Sequence, residues 1–250
     1  MAKRIPLVLL PGTLCDERLW KYQMESLADI ADLAVANISN HDTLTALAEE
    51  VLSEAPQEFA LAGLSLGGMV ALEIMRIAPE RVLKLALLDT NPYPPRPEQK
   101  DTWNNFFKMI DNNQFMDITK KHLLPVLIHP DKQDDEATVL TILQMAEAIG
   151  EEAYVNQLKA VMSREDQRRI LSSVTCPVMI MVGKDDVVCP VPMSEYMASQ
   201  IPHATLEIIE DAGHLITLEQ PENVSQRLKK WLLNTGAVRN GNGLVEKEPW

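Results

Sequence analysis

The chain is poor in cysteine: Cys15, Cys176 and Cys189 are the only three in 250 residues. They are odd in number and widely spaced, and no Cys-x-x-Cys pair occurs. This argues against a disulfide framework, a zinc site and a thioredoxin-like redox motif. Reduced thiols point to the cytoplasm. Basic residues are also in deficit, 23 Lys+Arg against 36 Asp+Glu, for a net charge of −13. A general nucleic-acid binder needs a basic face, and an anionic membrane surface attracts one, so both classes are disfavoured. Net charge itself says nothing of the chemistry. Long apolar runs are missing too. Leu7 to Leu10, behind Lys3 and Arg4, is shorter than the ~7–15 residues of a signal-peptide core, and Pro11-Gly12 ends it. No stretch approaches the ~18 apolar residues of a membrane span. Internal repeats and low-complexity tracts are absent.

What remains is an ordinary globular composition, 46% apolar and 24% charged. The length allows a packed core without disulfides or metals. Short apolar runs read as strands at Leu7–Leu10, Leu33–Ala36, Phe59–Ala62, Val82–Leu88, Val178–Val182 and Leu206–Ile209. Amphipathic segments separate most of them. Asp16–Ala28 has helical character, with Leu19, Tyr22 and Leu27 as core contacts. Asp42 or Thr43 caps a helix bearing Leu44, Leu47, Ala48, Val51 and Leu52 at helical spacing. Leu66–Ile77, Pro192–Ile201 and a segment around Val224, Leu228, Trp231 and Leu232 complete the set. Strands apolar along their whole length, alternating with helices, predict a parallel sheet covered on both faces. Right-handed crossovers make it doubly wound.

Residues 91–172 break this rhythm. Asn91–Pro97 is a proline-rich linker, and only helical patterns follow: Trp103, Phe106, Phe107, Ile110; then Val139, Ile142, Leu143, Ala146; then Tyr154, Leu158, Val161. The organisation is therefore a core of residues 1–91 and 173–236, a helical insertion at 92–172, and a polar, aperiodic tail at 237–250 expected to be mobile.

The chemistry concentrates at Gly63-Leu64-Ser65-Leu66-Gly67-Gly68. An apolar strand runs into this G-x-S-x-G and an apolar helix runs out, the setting of a nucleophile elbow. The glycines remove side chains that a tight, strained turn would crowd. A serine hydroxyl is a weak nucleophile and needs a base with its own orienter. Of the five histidines, His41, His122, His129 and His203 read as surface or linker residues. His214, in Asp211-Ala212-Gly213-His214 after the last strand, stands where ligand-facing residues gather. Asp185, Asp186 and Asp89 each follow a strand and are candidate acids.

The segments LVLLPGT, GLSLGGMVALEI, VLKLALLD, PVMIMVGKDDVVCP and LEIIEDAGHLITLEQPENV resemble the α/β-hydrolase superfamily, specifically serine hydrolases with a helical cap. The resemblance covers residues 5–90 and 173–234. It implies a six-stranded, mostly parallel sheet, since only four residues precede Ile5, where relatives often carry a leading hairpin. It implies the order Ser65, Asp186, His214 for nucleophile, acid and base. The family spacing from Gly183 and to Pro190 selects Asp186 over Asp185. The oxyanion donors implied are the backbone N–H groups of Leu66 and Thr13, with Leu14 the near alternative to Thr13. Pro11-Gly12 departs from the His-Gly of many members. A serine at the elbow argues against epoxide hydrolases and haloalkane dehalogenases, which use aspartate there, and against cysteine-nucleophile relatives. Cys15 and Cys189 are expected near the site mouth as packing residues.

The insertion becomes a lid over Ser65. Trp103, Phe106, Phe107 and Met116 are candidates to line an apolar pocket, although such residues more often glue helices together. Arg96 and Arg164 read as solvated. The expected function is a carboxylesterase acting on small to medium, moderately apolar esters through an acyl-enzyme. Lactone, thioester, amide and C–C bond hydrolysis, a lyase reaction, or a non-catalytic receptor on this fold are the alternatives. No cofactor, metal, nucleic acid or membrane partner is expected; a small molecule is.

Overall fold

The computed structural model describes residues 4–234; the tail at 237–250 lies outside the described residues. Six strands form one sheet: β1 (Ile5–Leu10), β2 (Ala31–Val35), β3 (Phe59–Leu64), β4 (Val82–Leu88), β5 (Val178–Gly183) and β6 (Thr205–Ile209). Their order is β2-β1-β3-β4-β5-β6, and all five pairings are parallel. The chain moves outward from β1 to β2, then returns to place β3 on the other side of β1. The order reverses between β1 and β3, and ligands bind outside the carboxyl ends of strands at such a point.

The helices of this core are α1 (Lys21–Leu27), α2 (Leu44–Glu54), α3 (Leu66–Ile77), α8 (Val191–Gln200), α9 (Ile216–Glu219) and α10 (Pro221–Leu233). Alternate strand residues point to opposite faces. Phe59 and Leu61 pack with α2 and α3 on one side. Ala60, Ala62 and Leu64 pack with α1 and α10 on the other. Burial on both faces is why β3 and β5 read as unbroken apolar runs. The α2 expectation holds in detail: Thr43 Oγ1 accepts the Ala46 N–H at 3.2 Å, and all five apolar positions are buried.

Two core expectations fail. Residues 16–28 are not one helix: Asp16 caps a 3₁₀ turn (Glu17–Trp20) that leads into α1. The tighter turn shifts the helical phase. Tyr22, expected in the core, is 41% exposed, and Gln23 takes the buried place. Its amide donates to Thr217 O at 3.2 Å and Ser225 Oγ at 3.3 Å, so burial leaves that donor satisfied. The short α9 was not foreseen.

Between β4 and β5 the described residues form only helices: α4 (Pro97–Asp111), α5 (Phe115–Asp117), a π-helical stretch (Ile118–Leu123), α6 (Leu124–Leu127), short 3₁₀ turns, and the long α7 (Glu136–Ser163). Gly150, at φ 80°, breaks the helical path of α7. The two apolar patterns read there are thus two arms of one bent element. Phe106, Ile110, Ile118, Ala146, Tyr154 and Leu158 form a small core of their own. Leu14, from the loop after β1, completes it.

Candidate active site

Ser65 sits between β3 and α3 with φ 55° and ψ −114°, a backbone region costly for a side-chain-bearing residue. Its N–H donates to Leu88 O at 2.9 Å, and its own carbonyl accepts from Thr90 Oγ1 at 2.7 Å. These bonds tie the turn to the end of β4. The neighbouring glycines are required, as expected of a crowded turn. A Cβ at Gly63 would lie 2.3 Å from Gly67 O, and one at Gly67 would lie 2.3 Å from Leu10 O and 2.6 Å from Pro11 O. The nearest collisions are with the elbow's far side and with the end of β1 and the loop after it. That same close approach brings Gly12 against Ser65, where an added Cβ would be 3.6 Å from Ser65 Cβ.

His214 stands in the loop between β6 and α9, buried, with its N–H donating to Leu127 O at 2.9 Å. Its Nε2 lies 2.9 Å from Ser65 Oγ, and its Nδ1 lies 2.8 Å from Asp186 Oδ2. The other Asp186 oxygen accepts the N–H groups of Val188 and Cys189, both at 2.8 Å. The carboxylate is therefore held from behind and presents one oxygen to the imidazole. Side chains drawn from three loops meet within hydrogen-bond reach, as nucleophile, base and orienter must.

The three aspartates separate cleanly. Asp185 turns away, 45% exposed, with its carboxylate 3.6 Å from His129 Nε2. Asp89 is fully buried, but it accepts from Gly183 N–H at 2.9 Å and Ile216 N–H at 3.4 Å instead of facing His214. Burial raises its carboxyl well above the ordinary range, and the nearby Asp186 charge raises it further. Asp89 thus fastens β4 to β5 and to the start of α9.

Of the expected oxyanion donors, Leu66 opens α3, so its N–H lies outside the helix's own ladder. The Thr13 N–H has no hydrogen-bond partner among the described residues. Leu14, the alternative, is committed elsewhere: its N–H donates to Gln157 Oε1 at 2.9 Å.

Several side-chain expectations change. Cys15 and Cys189 are buried, as packing residues. Burial, with the Asp16 charge, pushes the Cys15 thiol up to about 12, and Cys189 rises for the same first reason with Asp186 beside it. Neither is a nucleophile at neutral pH. Cys189 Sγ receives Asn91 Nδ2 at 3.2 Å. Asp186, Cys189 and His214 offer donor atoms within 4.8 Å of one another, but both imidazole nitrogens already face Asp186 and Ser65. Arg164 is buried, not solvated: it donates to Tyr93 O at 2.9 Å and Val161 O at 2.8 Å, and lies over Trp103. Burial lowers it to about 10. Arg96 is exposed, as read. His129, in the connection after α6, is half-buried, its side chain 17% exposed, and its backbone lies beside the histidine loop.

The four aromatic and methionine candidates gather on the insertion. Phe106 is 5% exposed inside its small core, and Trp103, Phe107 and Met116 pack against that core. Phe107 also borders a cavity of about 570 Å³ with Val155, Lys159 and Met162, and no member of the Ser65–His214–Asp186 series lines it. Sequence reading missed Glu219 and Gln157, which hold the site's loops. Glu219 had a legible signal, an acid four residues after a glycine–histidine-leucine turn; Gln157 had none.

The fold and the elbow define the class: the chain belongs to the Alpha/beta hydrolase family, whose model matches residues 7–227. It is a hydrolase acting on ester bonds. It is similar to the pimeloyl-[acyl-carrier protein] methyl ester esterase of Nitrosomonas europaea, 26% identical over 232 residues, covering 86% of this chain and 91% of that one. The enzyme of the same description from Aromatoleum aromaticum is 30% identical over 193 residues, covering 72% and 76%. Among solved structures, a thermophilic esterase from Thermogutta terrifontis superposes with a TM-score of 0.83 at 28% identity, covering 91% of this chain and 89% of that one.

Proposed function

We propose that this protein is a serine carboxylesterase acting on small to medium, moderately apolar esters. Ser65 Oγ attacks the ester carbonyl while His214 Nε2 accepts its proton. Asp186 holds the imidazole in the correct tautomer and stabilises its protonated form. The N–H groups of Leu66 and Thr13 receive the developing oxyanion. Collapse of the tetrahedral intermediate releases the alcohol, which takes the proton from His214, and leaves an acyl-enzyme on Ser65. Water, activated by the same imidazole, then frees the acid.

The single observation carrying this reading is the hydrogen-bonded series Ser65 Oγ, His214, Asp186 at 2.9 and 2.8 Å. The relatives named for a methyl ester support a simple alcohol as leaving group. Residues 92–172 act as the cap over Ser65; Leu14, shared between the loop after β1 and the insertion's core, supports this. Unpaired thiols fit a reducing compartment, and we place the protein in the cytoplasm. No described helix is long and apolar enough to cross a membrane.

The test is hydrolysis of p-nitrophenyl and methyl esters of increasing acyl length, with lactones as a separate arm, in wild type and Ser65→Ala. Short esters turn over with a burst, a fluorophosphonate labels Ser65, and Ser65→Ala loses about 10⁴-fold or more in kcat. Activity that survives Ser65→Ala overturns the assignment.

A further inference from the structure

Glu219 takes no part in the reaction above, yet its carboxylate is one of the most heavily engaged groups near the site. It ends α9, is 4% exposed, and no lysine or arginine pairs with it among the described residues. A buried, unpaired carboxylate is costly unless hydrogen bonds replace its lost water. Here three backbone N–H groups do so. Gly213 N–H reaches both oxygens, at 3.0 and 3.1 Å; Leu215 N–H reaches Oε1 at 3.1 Å; His129 N–H reaches Oε2 at 2.6 Å. Burial raises the carboxyl above its ordinary value, and these N–H bonds oppose the rise.

The donors are not scattered. Gly213 and Leu215 flank His214, and the remaining N–H of the trio, that of His214, goes to Leu127 O at 2.9 Å. The peptide groups on both sides of the imidazole are thus pinned, two by one carboxylate and one by residue 127. The stretch 127–129 belongs to the helical insertion and packs hard on the loop: a Cβ at Gly213 would lie 2.8 Å from His129 N.

We propose that Glu219 is a positioning residue, an anionic clasp that sets the backbone of His214 in register with Ser65 and fastens residues 127–129 to it. This rests on the reading of His214 as the base. The imidazole must stay within reach of Ser65 and Asp186 at once, and catalytic groups tolerate only about 0.5 Å of displacement. Both carboxylate oxygens are committed to N–H donors. A glutamine at 219 would present its amide N–H₂ to one of them, donor against donor. Glutamine is therefore a nearly isosteric change that breaks the clasp on one side.

The experiment compares wild type, Glu219→Gln and Ser65→Ala on a p-nitrophenyl ester, together with fluorophosphonate labelling of Ser65 and the low-field proton resonance of the His214–Asp186 hydrogen bond. For Glu219→Gln, kcat falls about 10–100-fold with KM nearly unchanged, because a small misplacement acts on the chemical step. The labelling rate falls in parallel, and the low-field resonance shifts or broadens while the protein stays folded. A kcat within about twofold of wild type overturns the clasp, as does a loss wholly accounted for by the unfolded fraction. Ser65→Ala separates the two readings. If it is inactive and Glu219→Gln is not impaired, only the clasp fails; if it is active, the nucleophile was misassigned. Should Glu219→Gln not fold, His129→Ala and His129→Pro carry the same test. His129 already has φ −54°, which proline accepts, so the backbone path is kept while a ring carbon replaces the N–H that faces Glu219 Oε2. A kcat for His129→Pro several-fold below that of His129→Ala supports the clasp, and equal values overturn it.

Discussion

Gln157 Oε1 accepts the backbone N–H of Leu14 at 2.9 Å, across 143 residues of sequence. Gln157 is fully buried on α7, and its amide nitrogen is anchored by Ser39 Oγ at 3.2 Å and Ile38 O at 3.4 Å. Leu14 is held at φ 58°, a conformation costly for a leucine. The insertion thus fixes the loop that carries Thr13. Gln157→Leu removes the acceptor at similar volume. Its kcat is expected to fall about tenfold, less than the ~10²–10³ for deleting an oxyanion donor outright. Steady-state kinetics on a p-nitrophenyl ester measures this.

The aspartates give a sharper contrast. Asp186→Asn loses the acceptor for the His214 Nδ1 proton, and kcat is expected to drop about 10⁴-fold. Asp185→Asn stays within about twofold, since its partly exposed carboxylate makes no hydrogen bond to His214, whose Nδ1 meets Asp186. Near-equal losses in the two variants would refute the assignment of the acid.

Asp89 makes stability depend on pH. Burial raises its carboxyl in the folded state, so folding takes up protons between the unfolded and folded values. Its contribution is fully present below the ordinary carboxylate range and is lost as pH rises through the folded value. Asp89→Asn cannot ionise and lacks this loss. Urea midpoints measured from about pH 4 to about pH 8 should show Asp89→Asn gaining on wild type as pH rises.

Phe106 separates glue from pocket wall. It is buried among Ile110, Ile118, Tyr154 and Leu158. Phe106→Ala is expected to destabilise by about 3 kcal/mol or more through lost contacts and a cavity. Met116→Ala, at a half-buried edge of the same cluster, is expected to cost less. Chemical denaturation of both variants decides.

Most of the core was legible because its signals are local. Apolar runs between helices gave all six strands, with β4 and α3 at their observed limits. The elbow was legible because a serine between Gly63 and Gly67, entered by a strand and left by a helix, is a local backbone requirement. The phase of α1 was not, because a 3₁₀ turn of four residues rotates everything after it. Nor was the burial of Arg164, whose partners are the carbonyls of Tyr93 and Val161.

Sequence alone determined a parallel α/β layer with Ser65 at a strand end and His214 after the last strand, because period and turn chemistry act over a few residues. Tertiary structure decided which of three aspartates meets the histidine. Asp89 and Asp186 both follow apolar strands, and only the sheet order places Asp186 Oδ2 2.8 Å from Nδ1 while Asp89 bonds Gly183 and Ile216. It also decided that the loops are held from afar, by Gln157 on Leu14, 143 residues away, and by Glu219 on His129, 90 residues away. A hydrogen bond between residues distant in sequence leaves no periodicity to read; it exists only once folding has brought donor and acceptor together.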